Sequence, residues 1–297
     1  MSSEDDSSWF AEPPFSGFQQ RFQIRSRLFR HVSPYQTIEV YDTVPFGRML
    51  ALNGAAQTTE KDEFIYHEML ALVPMLTHAN PRRVAIIGGG DGGTLRRVLC
   101  FPTVQEVWQV ELDQAVTDTC QQYLAAISAG AFSDERVRLH FGDGARFLRD
   151  KTEWFDVILI DSTDPIGPAE ALFSAPFYGD IQRALTSDGV MATQSGSPLL
   201  MAGELRRAVD NIKAAFGLVR PYLASVPSYP GVLWSFTLAS KGRDPLKISR
   251  AEAARRLRAA AIQPLYYNLD VHFASFALPS FLTAYLEHGR TVELLHG

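Results

Sequence analysis

The sequence predicts an α/β protein: a doubly wound, mostly parallel sheet preceded by a small antiparallel β domain. Three observations point that way. Short apolar runs alternate with helical patterns over roughly residues 80–200, the order that builds parallel sheets from strand–helix–strand units. The first of those runs ends in a glycine-rich turn, "IGGGDGG" (87–93), at the strand end where such sheets bind ligands. Upstream, residues 20–60 alternate apolar and polar side chains between turn signals, the period of half-buried antiparallel strands.

Taken in order, "YQTIEVYDT" (35–43) and "GRMLALNG" (47–54) read as strands separated by Val44-Pro45-Phe46. Asn53-Gly54 is a strong hairpin signal. At Thr59 the period changes. Ile65, Met69, Leu72, Val73 and Leu76 share one helical face, Thr59 and Asp62 can form a capping pair at its start, and Pro74 predicts a kink or an early end. Next, "VAIIG" (84–88), "VWQVEL" (107–112), "VRLHF" (137–141), "FDVILID" (155–161) and "GVMATQS" (189–195) read as strands, with helices starting near Gly92, Asp113, Gly144 and Ser174. "LVRPYLASV" (218–226) and "VLWSFTLAS" (232–240) flank the turn-rich "PSYPG" and read as an antiparallel hairpin at one sheet edge. The expected division is a β domain with an irregular leader at 1–60 and a catalytic α/β domain at 61–297.

With 297 residues, 46% of them hydrophobic and 21% charged, the chain can bury a large core. Its net charge of -5 and the lack of a Lys/Arg block argue against nucleic acid as a partner. No apolar run reaches the length of a membrane span. The start, "MSSEDDSSWF", lacks the basic residues and apolar stretch of a secretory signal, so no membrane association and a cytoplasmic location are expected. Cys100 and Cys120 are too few for a disulfide framework and lack metal-ligand spacing; both are expected as small buried hydrophobes. Tyr66-His67-Glu68 is not an HExxH arrangement, and no metal is expected.

The glycine turn resembles a dinucleotide fingerprint but carries Asp91 among its glycines. A pyrophosphate there would be repelled. Glu111, 23 residues past Gly88 at the end of "VWQVEL", is placed to accept hydrogen bonds from ribose hydroxyls, which serves any adenosine ligand; the plainer reading is an acid capping a strand end. A cationic adenosine ligand reconciles Asp91 with the turn. Decarboxylated S-adenosylmethionine keeps the sulfonium and an ammonium and lacks the carboxylate, so Asp91 would pair with the ammonium and repel the carboxylated form.

A second acid cluster, "DSTDPIGPAEALF" (161–173), puts Asp161 at the end of a strand and Asp164 in a turn fixed by Pro165, Gly167 and Pro168. Two adjacent carboxylates call for a cation between them, and a diamine supplies one; an Asp turn that only caps backbone groups is the alternative. Asp143, before Gly144, could accept from an adenine amine or act as an ordinary N-cap. Tyr66 and Tyr229 read either as core tyrosines or as a wall beside an alkyl diamine.

Together, "NGAAQTTEKDEFIYHEML" (53–70), "GGGDGG" (88–93), "VELD" (110–113), "GDG" (142–144), "DSTDPIGPAEALF", "PSYPG" (227–231) and "YYNLDVHFASFALP" (266–279) resemble the polyamine aminopropyltransferase family, and within it the spermidine synthases most closely. The resemblance spans residues 30–280 in family order. It implies a Rossmann-like, methyltransferase-type domain behind a small β domain, assembled as a homodimer or homotetramer. By motif, Gln36, His67, Asp91, Glu111, Asp143 and Gly144 would hold decarboxylated S-adenosylmethionine, here a co-substrate with no further cofactor. Asp161 would be the general base, Tyr66, Asp164 and Tyr229 would position the diamine, and Pro168 belongs to a loop covering the site. The implied acceptor is putrescine, with cadaverine, agmatine and spermidine as alternatives. The family's Tyr-Gln-Asp/Glu is Tyr35-Gln36-Thr37 here, and the second glycine that often follows Tyr-Pro-Gly is Val232; both departures bear on the rim of the amine pocket. Competing readings are a small-molecule methyltransferase, which commonly has an acid where this chain has Ile86, a nicotinamide-dependent oxidoreductase, and a silent polyamine-binding protein.

Overall fold

The structure, a computed structural model, describes residues 8–13, 17–163 and 171–289. Asp164 and Pro168 lie outside them. Five strands, β1 (Trp9–Ala11), β2 (Arg21–Val32), β3 (Thr37–Thr43), β4 (Gly47–Leu52) and β5 (Ala55–Thr59), form an antiparallel sheet in sequence order. Asn53 and Gly54 make the β4–β5 turn, both with positive φ (50° and 81°), as a tight hairpin of right-handed twist requires. The alternation read from the sequence sorts the side chains of this sheet. Tyr41, Met49 and Ala51 pack with Phe10 and Phe22 on one face. Ile38, Val40, Leu50 and Leu52 pack on the other against Val116, Cys120, Leu124 and Ile127. That second face joins the two sheets of the protein. β2 falls within the 20–60 stretch read as antiparallel strands, but most of it is exposed, with inward alternation at Phe22 and Ile24, while β1 lies outside that stretch and is not signalled by the sequence.

The second sheet has seven strands: β6 (Arg83–Gly88), β7 (Glu106–Glu111), β8 (Val137–Phe141), β9 (Phe155–Asp161), β10 (Leu185–Gly196), β11 (Leu218–Ser225) and β12 (Leu233–Ser240), in the order β11-β12-β10-β9-β6-β7-β8. β6 to β10 run parallel, and the β11–β12 hairpin is antiparallel at one edge, as expected. The chain builds outward from β6 to β8 on one side and from β9 to β10 on the other. Strand order therefore reverses between β6 and β9, and the last pair in their register is Gly88 with Asp161. That crevice is where an open α/β sheet takes its ligand.

Ten helices are described: α1 (Glu63–Thr77), α2 (Gly93–Leu99), α3 (Gln114–Tyr123), α4 (Ala125–Ser128), α5 (Gly144–Arg149), α6 (Ala175–Ala184), α7 (Ala202–Ala215), α8 (Arg250–Ala259), α9 (Leu269–Ala274) and α10 (Ser280–His288). The four helix starts read from the sequence coincide with α2, α3, α5 and α6, the last three with side-chain caps from Asp113, Asp143 and Ser174. Three expectations for α1 are corrected. It is buried on every side except at Phe64 rather than along one stripe, because it is packed between the sheet, α2 and α8. Pro74 does not end it; the helix runs on to Thr77 and closes with the His78 N–H on the Pro74 carbonyl. Nor is there a capping box: Asp62 is the N-cap but makes no side-chain cap bond. Its carboxylate accepts from Thr59 Oγ1 at 2.5 Å and from Ser228. Cys120 is buried, whereas Cys100 is only partly so. Among the described residues no helix is long and apolar enough to cross a membrane, and no group of three or more His, Cys, Asp or Glu could hold a metal ion.

Candidate active site

Parallel pairing of β6 with β9 brings the glycine turn against Asp161. Gly88 has φ 85°, open to glycine at little cost, and a Cβ there would collide with the Asp161 backbone. The Gly89 N–H donates to the Asp161 carbonyl at 2.7 Å, and Gln109 on β7 donates its amide to the Gly88 and Gly89 carbonyls. The Asp161 carboxylate has a donor on each oxygen: Tyr66 Oη at 2.8 Å on Oδ1 and Thr94 Oγ1 at 2.6 Å on Oδ2. Burial first, and then the charge of Asp91, raise its pKa above the ordinary carboxylate value, against the pull of His67, Thr94 and Tyr66. The result is a carboxylate held in one orientation and made more basic.

Asp91 is held from behind. Its Oδ1 accepts from the Gly93 N–H at 2.7 Å and lies 3.4 Å from His67 Nε2. His67 Nδ1 is 2.6 Å from Glu63 Oε2, and Glu63 Oε1 is 2.9 Å from Arg97. Burial on its own would lower the His67 pKa; Asp91 and Glu63 outweigh it and hold it up at about 10. The ring is therefore an imidazolium with a carboxylate at each nitrogen. Burial would likewise raise Asp91, yet the His67 charge keeps it below its usual range. His67, expected to touch the donor, is only 1% exposed and stands behind Asp91. The ring lies so close to Gly93 that a Cβ there would run into it. Gly93→Ala is expected to destabilise the fold by about 1–3 kcal/mol through overpacking, to be read by urea denaturation.

The other expected residues gather along the same strand ends. Glu111, at the end of β7, is buried and faces Gly90; burial pushes its carboxyl up to about 7, against the N–H of Asp113. The β2–β3 turn delivers Gln36, whose amide donates to Asp113 Oδ2 at 3.1 Å. The Gly142 N–H donates to the Glu111 carbonyl at 2.8 Å, which brings the Asp143-Gly144 turn alongside. Asp143 is exposed and caps α5 through the N–H groups of Ala145 and Arg146, and Gly144 packs against Ile87 with no room for a Cβ. On the opposite side Tyr66 and Tyr229 meet edge to face, centroids 5.6 Å apart. Tyr229 donates to the Gln57 carbonyl at 2.6 Å. Thr94, Gln109, Glu63 and Arg97 were not singled out from the sequence; only Glu63, four residues before His67 on a helix, left a readable sign.

The cleft thus collects carboxylates at Asp91, Glu111 and Asp161 around one glycine turn, with tyrosines opposite, a setting for a cationic ligand with a hydroxyl-bearing portion. The family model described as the spermine/spermidine synthase domain matches residues 63–248, and the one described as the spermidine synthase tetramerisation domain matches residues 8–60. The chain belongs to the spermine/spermidine synthase family. Among its relatives, the polyamine aminopropyltransferase of Moorella thermoacetica is 42% identical over 94% of this chain and 96% of its own length. That of Desulforudis audaxviator is 41% identical over 92% and 97%. A spermidine synthase solved in complex with the transition-state analogue AdoDATO superposes with a TM-score of 0.89 at 39% identity, covering 94% of each chain. The Thermotoga maritima spermidine synthase gives 0.88 at the same identity and coverage. The small antiparallel sheet followed by a Rossmann-like sheet is thus the spermidine synthase fold, and the acid-lined crevice lies at the point where its strand order reverses.

Proposed function

We propose that this protein transfers the aminopropyl group of decarboxylated S-adenosylmethionine to a diamine, with putrescine as the preferred acceptor, giving spermidine and 5'-methylthioadenosine. The observation that carries the reading is the pairing of Asp91 with Asp161 across one glycine turn, the first ionised by its imidazolium and the second basic. An amine lone pair attacks the aminopropyl carbon bonded to sulfur. The carbon–sulfur bond breaks, its electrons return to sulfur, and the proton released from nitrogen passes to Asp161. Asp91 takes the donor's ammonium, Glu111 the ribose hydroxyls, and Asp143 and Gly144 border the adenine side with Gln36 steadying Asp113. Tyr66 and Tyr229 flank the alkyl chain of the acceptor. Asp164 and Pro168 keep the parts that the family resemblance implies, in a segment outside the described residues. The match of residues 8–60 to a tetramerisation domain supports a homo-oligomer, a homotetramer or a homodimer, and the same reading places it in the cytoplasm.

The test is 5'-methylthioadenosine release from the decarboxylated donor and from S-adenosylmethionine, each offered with putrescine, cadaverine, agmatine and spermidine. Turnover confined to the decarboxylated donor, and fastest with putrescine, is the expected result; a faster alternative amine would rename the product. A pH dependence follows from Glu111. Ribose hydroxyls donate to the ionised carboxylate, so binding lowers a pKa that stands at about 7 in the free protein. Donor affinity should hold above pH 7 and weaken below it, by up to about tenfold per unit, as read by calorimetry. Glu111→Gln should flatten that dependence.

A further inference from the structure

The turn that carries Tyr229 is anchored to the N-terminal sheet. Residues 226–232 close on themselves, with the Tyr229 N–H on the Val226 carbonyl, the Val232 N–H on the Tyr229 carbonyl at 2.9 Å and the Val226 N–H on the Val232 carbonyl at 2.7 Å. Closure puts Val232 at φ 63°, a conformation that is costly for a β-branched side chain and that persists only where the surroundings impose it. The imposing contacts come from far away in sequence. Asp62, 4% exposed, accepts from the Ser228 N–H at 2.8 Å and Ser228 Oγ at 3.0 Å while holding Thr59 Oγ1 at the end of β5. Gln20 donates its amide to the Ser228 carbonyl at 2.6 Å. Tyr229 itself reaches the Gln57 carbonyl on β5, and its ring packs against Trp234 at 4.6 Å and Tyr66 at 5.6 Å.

Resting on the transferase reading above, we infer that Asp62 is a positioning residue for the amine acceptor: it locks the 226–232 turn onto the N-terminal sheet and so fixes the Tyr229 ring opposite Asp161. The donor side, Asp91 and Glu111 on the β6 and β7 ends, is built without that turn. The two substrates should therefore respond differently when the lock is loosened, which a general loss of folding would not produce.

The experiment compares Asp62→Ala, which removes both acceptor oxygens and leaves the Ser228 N–H without its partner, with Ser228→Ala, which deletes only the hydroxyl bond. Both are measured as full-length protein for KM of putrescine, KM of decarboxylated S-adenosylmethionine, kcat, and amide exchange of the 226–233 segment. In Asp62→Ala the acceptor KM should rise on the order of tenfold to a hundredfold, with the donor KM changed less than about twofold, and the turn's amides should lose protection. Ser228→Ala should show the same split at about threefold, since the Ser228 N–H keeps its bond to Asp62 and only one of the two contacts is lost, and serves alone if the first variant fails to fold. An equal rise in both KM values, or a turn that loses protection with the acceptor KM unmoved, would overturn the assignment. Absence of turnover in the unsubstituted protein would instead overturn the transferase reading, and exchange would still report whether Asp62 holds the turn.

Discussion

Asp161→Asn is expected to lower kcat by about 10²- to 10⁴-fold, the span of a lost general base, with donor affinity changed little. The substitution is nearly isosteric. Its amide oxygen can still accept from Tyr66, and the Thr94 hydroxyl can turn to accept from the new NH2, since hydroxyls serve either role. What disappears is the basic site. An alkyl ammonium with a pKa near that of lysine, about 10.4, is only about one part in a thousand neutral at pH 7.4, so without a nearby base the nucleophile is scarce. Activity of the variant should therefore climb about tenfold per pH unit between pH 7 and 9 as solution supplies the free amine, whereas the parent should level off. Steady-state rates across that range decide the matter, and a variant with parental kcat and a flat profile would remove Asp161 from the proton transfer.

The second large effect is expected at Asp91. Asp91→Asn removes a charge-assisted hydrogen bond to the donor ammonium, about 1.5–3 kcal/mol, which is about 10- to 150-fold in donor KM. It also leaves the His67 imidazolium, still paired to Glu63 at 2.6 Å, without the carboxylate that lay 3.4 Å from its other nitrogen, and that uncompensated charge adds repulsion toward a cationic donor. The carboxylated form of the donor loses a repulsive partner at the same time, so its disadvantage should shrink. The informative quantity is the ratio of inhibition or binding constants for S-adenosylmethionine and its decarboxylated form. A ratio unchanged by the substitution would place the discrimination elsewhere in the site.

Local pattern made much of this legible. Strand periods and the glycine turn placed Asp91, Glu111, Asp143 and Asp161 at neighbouring strand ends, because a doubly wound sheet delivers the carboxyl ends of its strands to one edge. What the sequence hid was set by distant partners. Asp62, beside Thr59, reads as half of a capping pair, and only the fold brings Ser228, 166 residues later, to its carboxylate. His67 reads as a ligand contact, and only the packing of α1 on α2 shows Glu63 and Asp91 at its two nitrogens. The helical stripe of Ile65, Met69 and Leu72 was real but incomplete, since α1 is enclosed on nearly all sides and periodicity reports only the strongest face. α7 carried a legible stripe, Leu205, Ala208, Val209 and Ile212, that was not read. α8 buries only Ala253 and gave little to read.

The row of Arg97, Glu63, His67 and Asp91 alternates in sign and sums to zero. Changing any one member leaves an uncompensated charge in the interior, a cost of about 3–5 kcal/mol. Removing the adjacent pair Arg97 and Glu63 together leaves the remainder neutral. Substitutions along the row should therefore be strongly non-additive: each harmful alone, tolerable in matched pairs. A lineage drifting one residue at a time would find this part of the protein nearly immovable, and a library that samples neighbouring positions jointly would find routes through it that single-site scanning would score as closed.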